Sequence, residues 1–227
     1  MVDLHSHALF GIDDGAQTIE DSIAILKRAR SFGINKMVLT PHFSIGDDVE
    51  EFLYLRNKHF DMLEEEAEEL GIELKAGAEV YITDELFNET ELEKLVIGDG
   101  NVILCEFKYH ALSPETFIEY IDYVLAEGLR VLVAHPERYS YLRCNRMLLE
   151  ALLDRGVMLQ VNAISLFEDN EEGDFARMLV RNNFAYCIGS DIHHASSRRL
   201  NAMGEVMNRE KLDDLINGNP DRIFGNN

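Results

Sequence analysis

The chain has 227 residues, 46% of them hydrophobic, and a formal net charge of −21. This length and apolar content fit one large domain with a sizeable core, so we expect a single domain over residues 1–227 and no extensive disorder. The acidic balance argues against a nucleic-acid partner, because phosphate backbones are bound by lysine and arginine. No apolar run approaches the ~20 residues of a membrane span, and the N-terminus lacks a secretion signal. We therefore expect a cytoplasmic protein without membrane insertion.

Short β-branched segments alternate along the chain with longer segments of helical period. The predicted strands are VDLH (2–5), KMVLTPH (36–42), ELKAGAEVYI (73–82), NVILCEF (101–107), RVLVAHP (130–136), VMLQVNA (157–163) and AYCIGSD (185–191). The predicted helices cover 19–33, 48–71, 113–128, 146–156 and 172–183. Thr18 with Asp21, and Ser113 with Thr116, have the spacing of helix starts. Glycine, the usual C-terminal stop signal, ends four of the helices, at Gly33, Gly71, Gly128 and Gly156.

Repeated strand–helix units predict a parallel sheet, and strands that are apolar along nearly their whole length predict burial of both sheet faces. Seven such units suit a closed barrel or an open doubly wound sheet. No Gly-rich dinucleotide fingerprint follows the first strand, which disfavours the doubly wound, Rossmann type.

Polar side chains that can bind metal ions stand at the carboxyl end of almost every predicted strand. In a parallel barrel these ends meet on one face, which holds the active site. An ionised carboxylate inside an apolar run such as VILCEF is costly to bury unless it is paired or coordinated. The residues expected to converge are His5, His7, Asp14, His42, Glu79, Glu106, His135, Asp191 and His193.

This set of ligands predicts a metal centre that activates water. One zinc ion takes about four ligands, so the set is too large for one ion and suits two or three. Mixed imidazole and carboxylate groups fit Mn, Fe, Zn or Co. Sites with several metal ions activate water for displacements, most often at phosphorus.

The cysteines indicate neither disulfides nor cysteine catalysis. Cys105, Cys144 and Cys187 are far apart, which argues against a disulfide framework. None of them has arginine at the sixth following position, so a phosphocysteine mechanism is disfavoured. We expect Cys105 and Cys187 to be core residues, because both lie in apolar strand segments.

The motifs DLHSH, DDG, TPH, GAEVY, LCEF, AHPERY and GSDIH, in that order, resemble the PHP (polymerase and histidinol phosphatase) superfamily. HSHxxxGIDDG, GAEVY and AHPERY more closely resemble its metal-dependent protein-tyrosine phosphatases of bacterial capsule and exopolysaccharide operons. The resemblance runs from residue 1 to NGNPDRIF near the C-terminus. It implies an α/β fold of the PHP type, a distorted (β/α)7 TIM-like barrel, with three divalent ions. Manganese is the first expectation, and Fe, Zn, Co and Mg are the alternatives.

The family's pattern also implies how the ligands divide among the three ions. The first ion would be held by His5, His7, Glu79 and Asp191. The second would share Glu79 and be completed by Glu106 and His135. The third would be held by Asp14, His42 and His193.

Two arginines are implied to bind the phosphoryl group. One lies in the HPERY motif and is Arg138, and the other follows the last ligand histidine and is best matched by Arg198, with Arg199 adjacent. The implied function is hydrolysis of phosphotyrosine in proteins. The implied substrate is the tyrosine-rich tail of a bacterial autokinase that controls capsular or exopolysaccharide synthesis.

Three alternatives remain open on the sequence. A histidinol-phosphate or other small-molecule phosphomonoesterase would use the same metal site, although the compact chain favours an open site for a protein tail. A nuclease of the same superfamily is disfavoured by the net acidity. A catalytically silent scaffold is disfavoured by the intact ligand set and by Arg138.

Overall fold

The computed structural model describes residues 1–87, 91–209 and 212–225. Within these ranges the strands are β1 (Val2–Asp3), β2 (Lys36–Leu39), β3 (His42–Ser44), β4 (Glu73–Ala76), β5 (Glu79–Tyr81), β6 (Val102–Glu106), β7 (Arg130–Ala134), β8 (Met158–Asn162) and β9 (Cys187–Gly189). The α-helices are α1 (Ile19–Ser31), α2 (Val49–Glu69), α3 (Pro114–Ala126), α4 (Ser140–Arg143), α5 (Arg146–Asp154), α6 (Glu171–Arg181), α7 (Arg199–Met207) and α8 (Asn219–Phe224).

The strands form parallel sheets, as predicted. β1, β2 and β4 form one sheet, and the other has the order β3-β5-β6-β7-β8-β9. Each pairing between described strands is parallel. The helices α1, α2, α3, α5 and α6 lie between strands that follow one another in the chain, so the prediction of an α/β fold with parallel strands is confirmed. Among the described residues the strand pairings form two sheets and not one continuous closed barrel.

The predicted second and third strands are each broken into two. Pro41 lacks an N–H group and interrupts the ladder between β2 and β3. The backbone N–H of Thr40 donates to Ser6 O at 2.8 Å, and that of His42 donates to the carboxylate of Asp13 at 2.9 Å. Beyond the break, β3 pairs with β5 in a register that sets His42 opposite Glu79.

The first and last strands are neighbours beyond their regular ends. Ser6 and Ile192 form a parallel bridge. The N–H of Asp191 donates to His5 O at 2.9 Å, and the N–H of His7 donates to Ile192 O at 2.8 Å. The carboxyl ends of the first and last strands therefore lie side by side.

Alternate residues of each central strand enter different apolar clusters. Ile103 of β6 and Val131 of β7 pack into the cluster shared with the helices. Leu104 and Leu132 pack into a second cluster, which Phe224 of α8 also joins. Burial of both strand faces explains their apolar sequences.

Smaller sequence predictions are confirmed as well. Cys105 and Cys187 are buried free thiols. Thr18 caps α1 in a reciprocal arrangement with Asp21, and Ser113 caps α3. None of the helices in the described ranges is both long and apolar enough to cross a membrane.

Candidate metal centre

The carboxyl ends of the strands bring all nine predicted ligands into one cluster. Three overlapping groups within it have ligand atoms less than 4.8 Å apart. They are His7, Asp14, His42 and His193; His5, His7 and Glu79; and His42, Glu79 and Glu106. His135 and Asp191 join through ion pairs with these groups.

The buried centre of the cluster lies between β1, β5 and the end of β9. The Nε2 atoms of His5 and His7 each lie 3.2 Å from Glu79 Oε2. The same atoms lie 3.6 and 3.5 Å from Asp191 Oδ1. His5 and His7 follow β1 at alternate positions and both face the two carboxylates, as the period of two in the predicted strand indicates.

Glu79 is the most shared group in the cluster. Its Oε1 atom lies 2.9 Å from His135 Nε2, and its Oε2 atom lies 3.1 Å from His42 Nδ1. Glu106 lies beside the same two histidines, at 3.5 Å from His135 and 3.8 Å from His42. One carboxylate thus contacts four imidazoles, those of His5, His7, His42 and His135.

The solvent-facing part of the cluster is formed by Asp14, His42 and His193. Asp14 Oδ1 lies 3.6 Å from His42 Nε2 and 3.4 Å from His193 Nε2. Asp14 is 73% exposed, and the ring of His193 stacks on that of His7 at a centroid distance of 4.0 Å. These contacts link the exposed group to the buried centre.

The neighbouring Asp13 has a different place, which the sequence analysis missed. Its side chain is only 4% exposed and accepts a hydrogen bond from His7 Nδ1 at 2.7 Å. A carboxylate behind a ligand histidine sets the tautomer of the ring. His7 therefore directs the lone pair of its neutral form, on Nε2, into the cluster.

A chain of hydrogen bonds sets the tautomer of His5 in the same way. Asp191 accepts from Asn162 Nδ2 at 2.8 Å, and Asn162 Oδ1 accepts from Gln160 Nε2 at 3.0 Å. Gln160 Oε1 then accepts from His5 Nδ1 at 2.8 Å. Because a carboxylate can only accept, each amide orientation follows from the previous one.

In their neutral forms the two imidazoles would present lone pairs towards each other, because the Nε2 atoms of His5 and His7 lie 3.2 Å apart. Two nitrogen lone pairs at this distance repel each other unless a proton or a cation lies between the nitrogen atoms and the facing carboxylates. Within the described residues, the cluster combines two guanidinium groups with five carboxylates, those of Asp13, Asp14, Glu79, Glu106 and Asp191. The donor set therefore fits divalent cations.

The pKa shifts describe the protein without metal. Burial by itself raises the pKa of Glu79, but the charge of His5 and a hydrogen bond from His135 hold that pKa well below its usual value. Burial also opposes a charged His7, yet hydrogen bonds to Asp13, Asp191 and Glu79 raise its pKa well above its usual value. Burial and the charge of Glu79 raise the pKa of Glu106. In the protein without metal, bound protons therefore compensate the negative charge of the carboxylates. Divalent cations that bind at the cluster would displace these protons.

Two of the cluster residues have left-handed backbone conformations. His135 has φ 31° and Asp191 has φ 52°, each just after a buried strand. This region is unfavourable for residues with a Cβ atom, and such strain concentrates at functional sites. The strain supports a functional reading of this face.

Two arginines reach the edge of the cluster. Arg138 Nη2 donates to Asp191 Oδ2 at 3.0 Å, and Arg199 Nη1 donates to the same oxygen. Both side chains are 25% exposed. Arg198, which the sequence analysis preferred, precedes α7 and is exposed. Among the described residues Arg199, and not Arg198, contacts Asp191, so Arg199 is the arginine that we place in the candidate site.

Tyr109 was also missed by the sequence analysis. Its hydroxyl donates to Glu106, and Arg138 Nη1 lies 3.4 Å from that hydroxyl. Its position three residues after Glu106 was a possible signal, but the segment that follows β6 has no periodicity from which to predict side-chain directions.

Comparison with known families shows where the chain belongs. The model of the family described as capsular polysaccharide synthesis, CpsB/CapC, matches residues 1–224. The chain belongs to the CpsB/CapC family. The tyrosine-protein phosphatase CpsB of Streptococcus pneumoniae is 27% identical to it, over 99% of this chain and 98% of that protein. The tyrosine-protein phosphatase YwqE of Bacillus subtilis is 29% identical, over 93% of this chain and 84% of YwqE.

A solved structure shows the same relationship for this CpsB/CapC member. A structure from a study of YwqE from Bacillus subtilis and CpsB from Streptococcus pneumoniae, described as metal-dependent tyrosine phosphatases, matches with a TM-score of 0.81. The match has 25% identity and covers 100% of this chain and 95% of the other. An amidohydrolase from Mycoplasma synoviae has a TM-score of 0.57 at 13% identity, over 99% and 87% of the two chains, a likeness of fold alone.

Proposed function

We propose that this chain is a metal-dependent protein-tyrosine phosphatase. The observation that carries the proposal is the cluster of nine imidazole and carboxylate ligands with two arginines bound to its edge. Membership of a family whose named relatives are tyrosine-protein phosphatases supports the same activity.

The proposed metal ligands are the nine residues of the cluster. The contacts of Glu79 with four imidazoles support a site for two or three ions. The resemblance found in the sequence favours three ions, with manganese as the first choice. The first ion would be held by His5, His7, Glu79 and Asp191, the second by Glu79, Glu106 and His135, and the third by Asp14, His42 and His193. Bound divalent ions lower the pKa of water and neutralise charge on phosphoryl oxygens.

The role proposed for Arg138 and Arg199 is to bind the phosphoryl group. Both hold Asp191 Oδ2 while retaining exposed surface, and a guanidinium can bind two phosphate oxygens at once. Asp191 turns its other oxygen, Oδ1, to His5, His7 and His193. It would thereby fix the arginines relative to the metal ligands.

We propose a distorted (β/α)7 TIM-like barrel of the PHP type and a single domain over residues 1–227. In this interpretation the barrel has seven strands, because β2 and β3 together form one strand and β4 and β5 together form another. The Ser6–Ile192 bridge joins the first strand to the last.

We propose a cytoplasmic location, which the three free cysteines support. The proposed partner is the tyrosine-rich tail of a bacterial autokinase, and the family's role in capsular polysaccharide synthesis supports it.

The test compares a phosphotyrosine peptide with histidinol phosphate as substrates. We expect manganese-dependent hydrolysis that favours the peptide and is abolished by a chelator, because the proposed metal ions activate the attacking water. Released phosphate is measured for the wild type and for His135→Ala. A preference for histidinol phosphate would instead indicate a small-molecule phosphatase, and hydrolysis that survives both chelator and substitution would contradict the metal mechanism.

The hydrogen-bond chain to His5 provides a separate prediction. Gln160→Leu removes the acceptor for His5 Nδ1 and leaves the ring free to change tautomer. We expect manganese affinity to fall about 10–100-fold, as for other residues that orient metal ligands. Metal titration would measure this, with Asn182→Leu as the control, because the Asn182 side chain is exposed and its amide donates to Met178 O on α6. Unchanged affinity would show that Gln160 does not orient His5.

A further inference from the structure

A pocket opens beside the candidate metal centre, on the side of β5 and β6. It has a volume of about 430 Å³. The metal-centre residues His42 and Glu106 line it, together with Tyr81, Phe107, Lys108 and Tyr109. The pocket therefore continues from the cluster outwards to the surface.

Two tyrosines flank Glu106 in this pocket. Tyr81 is the register partner of Glu106 across β5 and β6, and Tyr109 follows Glu106 by three residues. Tyr81 is half-buried, whereas the side chain of Tyr109 is 37% exposed. A large aromatic side chain that stays exposed beside a catalytic centre presents surface for a ligand.

Tyr109 is held firmly in place. Its hydroxyl donates to Glu106, and the guanidinium of Arg138 lies over its ring at 5.9 Å from the centroid. Its ring meets that of His135 edge-on at a centroid distance of 5.8 Å. The exposed part of the ring is thus a fixed surface and needs little ordering when a ligand binds.

We propose that this pocket is the subsite for the aromatic ring of phosphotyrosine, with Tyr109 as its specificity-determining wall. The inference rests on the proposed phosphatase function and extends it to substrate selection. In an aryl phosphate the ring is bonded directly to the ester oxygen. A phosphoryl group held at the cluster by Arg138 therefore leaves the ring beside Glu106, between Tyr81 and Tyr109. An alkyl phosphate has no flat apolar group to fill that space.

Two variants separate the ring of Tyr109 from its hydroxyl. Tyr109→Phe keeps the ring and removes the hydroxyl at Glu106, whereas Tyr109→Leu removes both. A difference between these variants therefore reports on the ring alone. The measurements are KM for a phosphotyrosine peptide and inhibition constants for phenylphosphonate and methylphosphonate, all with manganese present.

We expect Tyr109→Leu, relative to Tyr109→Phe, to weaken the binding of the peptide and of phenylphosphonate about tenfold. This factor corresponds to the upper range of the interaction energy of an aromatic pair. Methylphosphonate should bind the two variants within about twofold of each other, because it reaches only the phosphoryl site. Its retained binding also shows that the Leu variant is folded with an intact centre.

The proposal of an aryl subsite would be overturned if the two variants bound phenylphosphonate equally. It would also be overturned if Tyr109→Leu, relative to Tyr109→Phe, weakened the binding of methylphosphonate as much as that of phenylphosphonate. Failure of the proposed function would appear elsewhere, as a wild-type protein that does not hydrolyse the phosphotyrosine peptide. The two failures are therefore distinguishable within one set of assays.

Discussion

Glu79→Gln is expected to reduce kcat/KM for a phosphotyrosine peptide by about 10³-fold, at the upper end for loss of one electrostatic group in an active site. Glu79 contacts four imidazoles and is nearly fully buried. Glutamine keeps the size of the side chain but removes its negative charge. The substitution should therefore weaken the binding of the two metal ions that Glu79 is proposed to bridge.

Activity assays with saturating manganese and determination of bound metal would measure both effects. Glu205→Gln is the matched control, because Glu205 is exposed on α7. Circular dichroism distinguishes loss of metal from loss of fold. Full metal content together with full activity in Glu79→Gln would contradict the central place given to this carboxylate.

Regular elements were predictable where one local signal decides the structure. Thr18 and Asp21 have the spacing of a capping box, and α1 begins immediately after Thr18. Ligand placement was predictable for a related reason. The carboxyl ends of parallel strands lie on one face of the fold. The proximity of Glu106 and His135 could therefore be predicted from the order of the strands alone.

Other features depend on tertiary geometry that a single sequence does not encode locally. Pro41 is a local signal for the break between β2 and β3, but the partners of the N–H groups on either side, Ser6 and Asp13, are distant in sequence. The helices α7 and α8 have no counterpart among the predicted helices. Asp13 and Gln160 act through the ring nitrogens of histidines, and their side-chain directions follow only from the assembled fold.

Adjacent arginines illustrate the same limit and provide the second large effect. Arg199→Ala is expected to lower kcat/KM for a phosphotyrosine peptide by about 10²-fold, as for loss of one donor to the transition state. Arg198→Ala should stay within about twofold of the wild type, because an exposed substitution outside the site has little effect. One residue of offset at the start of α7 therefore separates the side chain that is proposed to bind phosphate from a solvent-exposed one.

The two variants control for each other, since both remove one positive charge from the same turn. Arg199→Lys keeps that charge but loses the planar fork, so we expect it to restore little of the activity. Asp191 remains held by Arg138 at 3.0 Å and by Asn162 at 2.8 Å, so bound metal should be retained in Arg199→Ala. Equal losses in Arg198→Ala and Arg199→Ala would indicate a general charge effect. A larger loss in Arg198→Ala would return the phosphate-binding role to the residue that the sequence motif favoured.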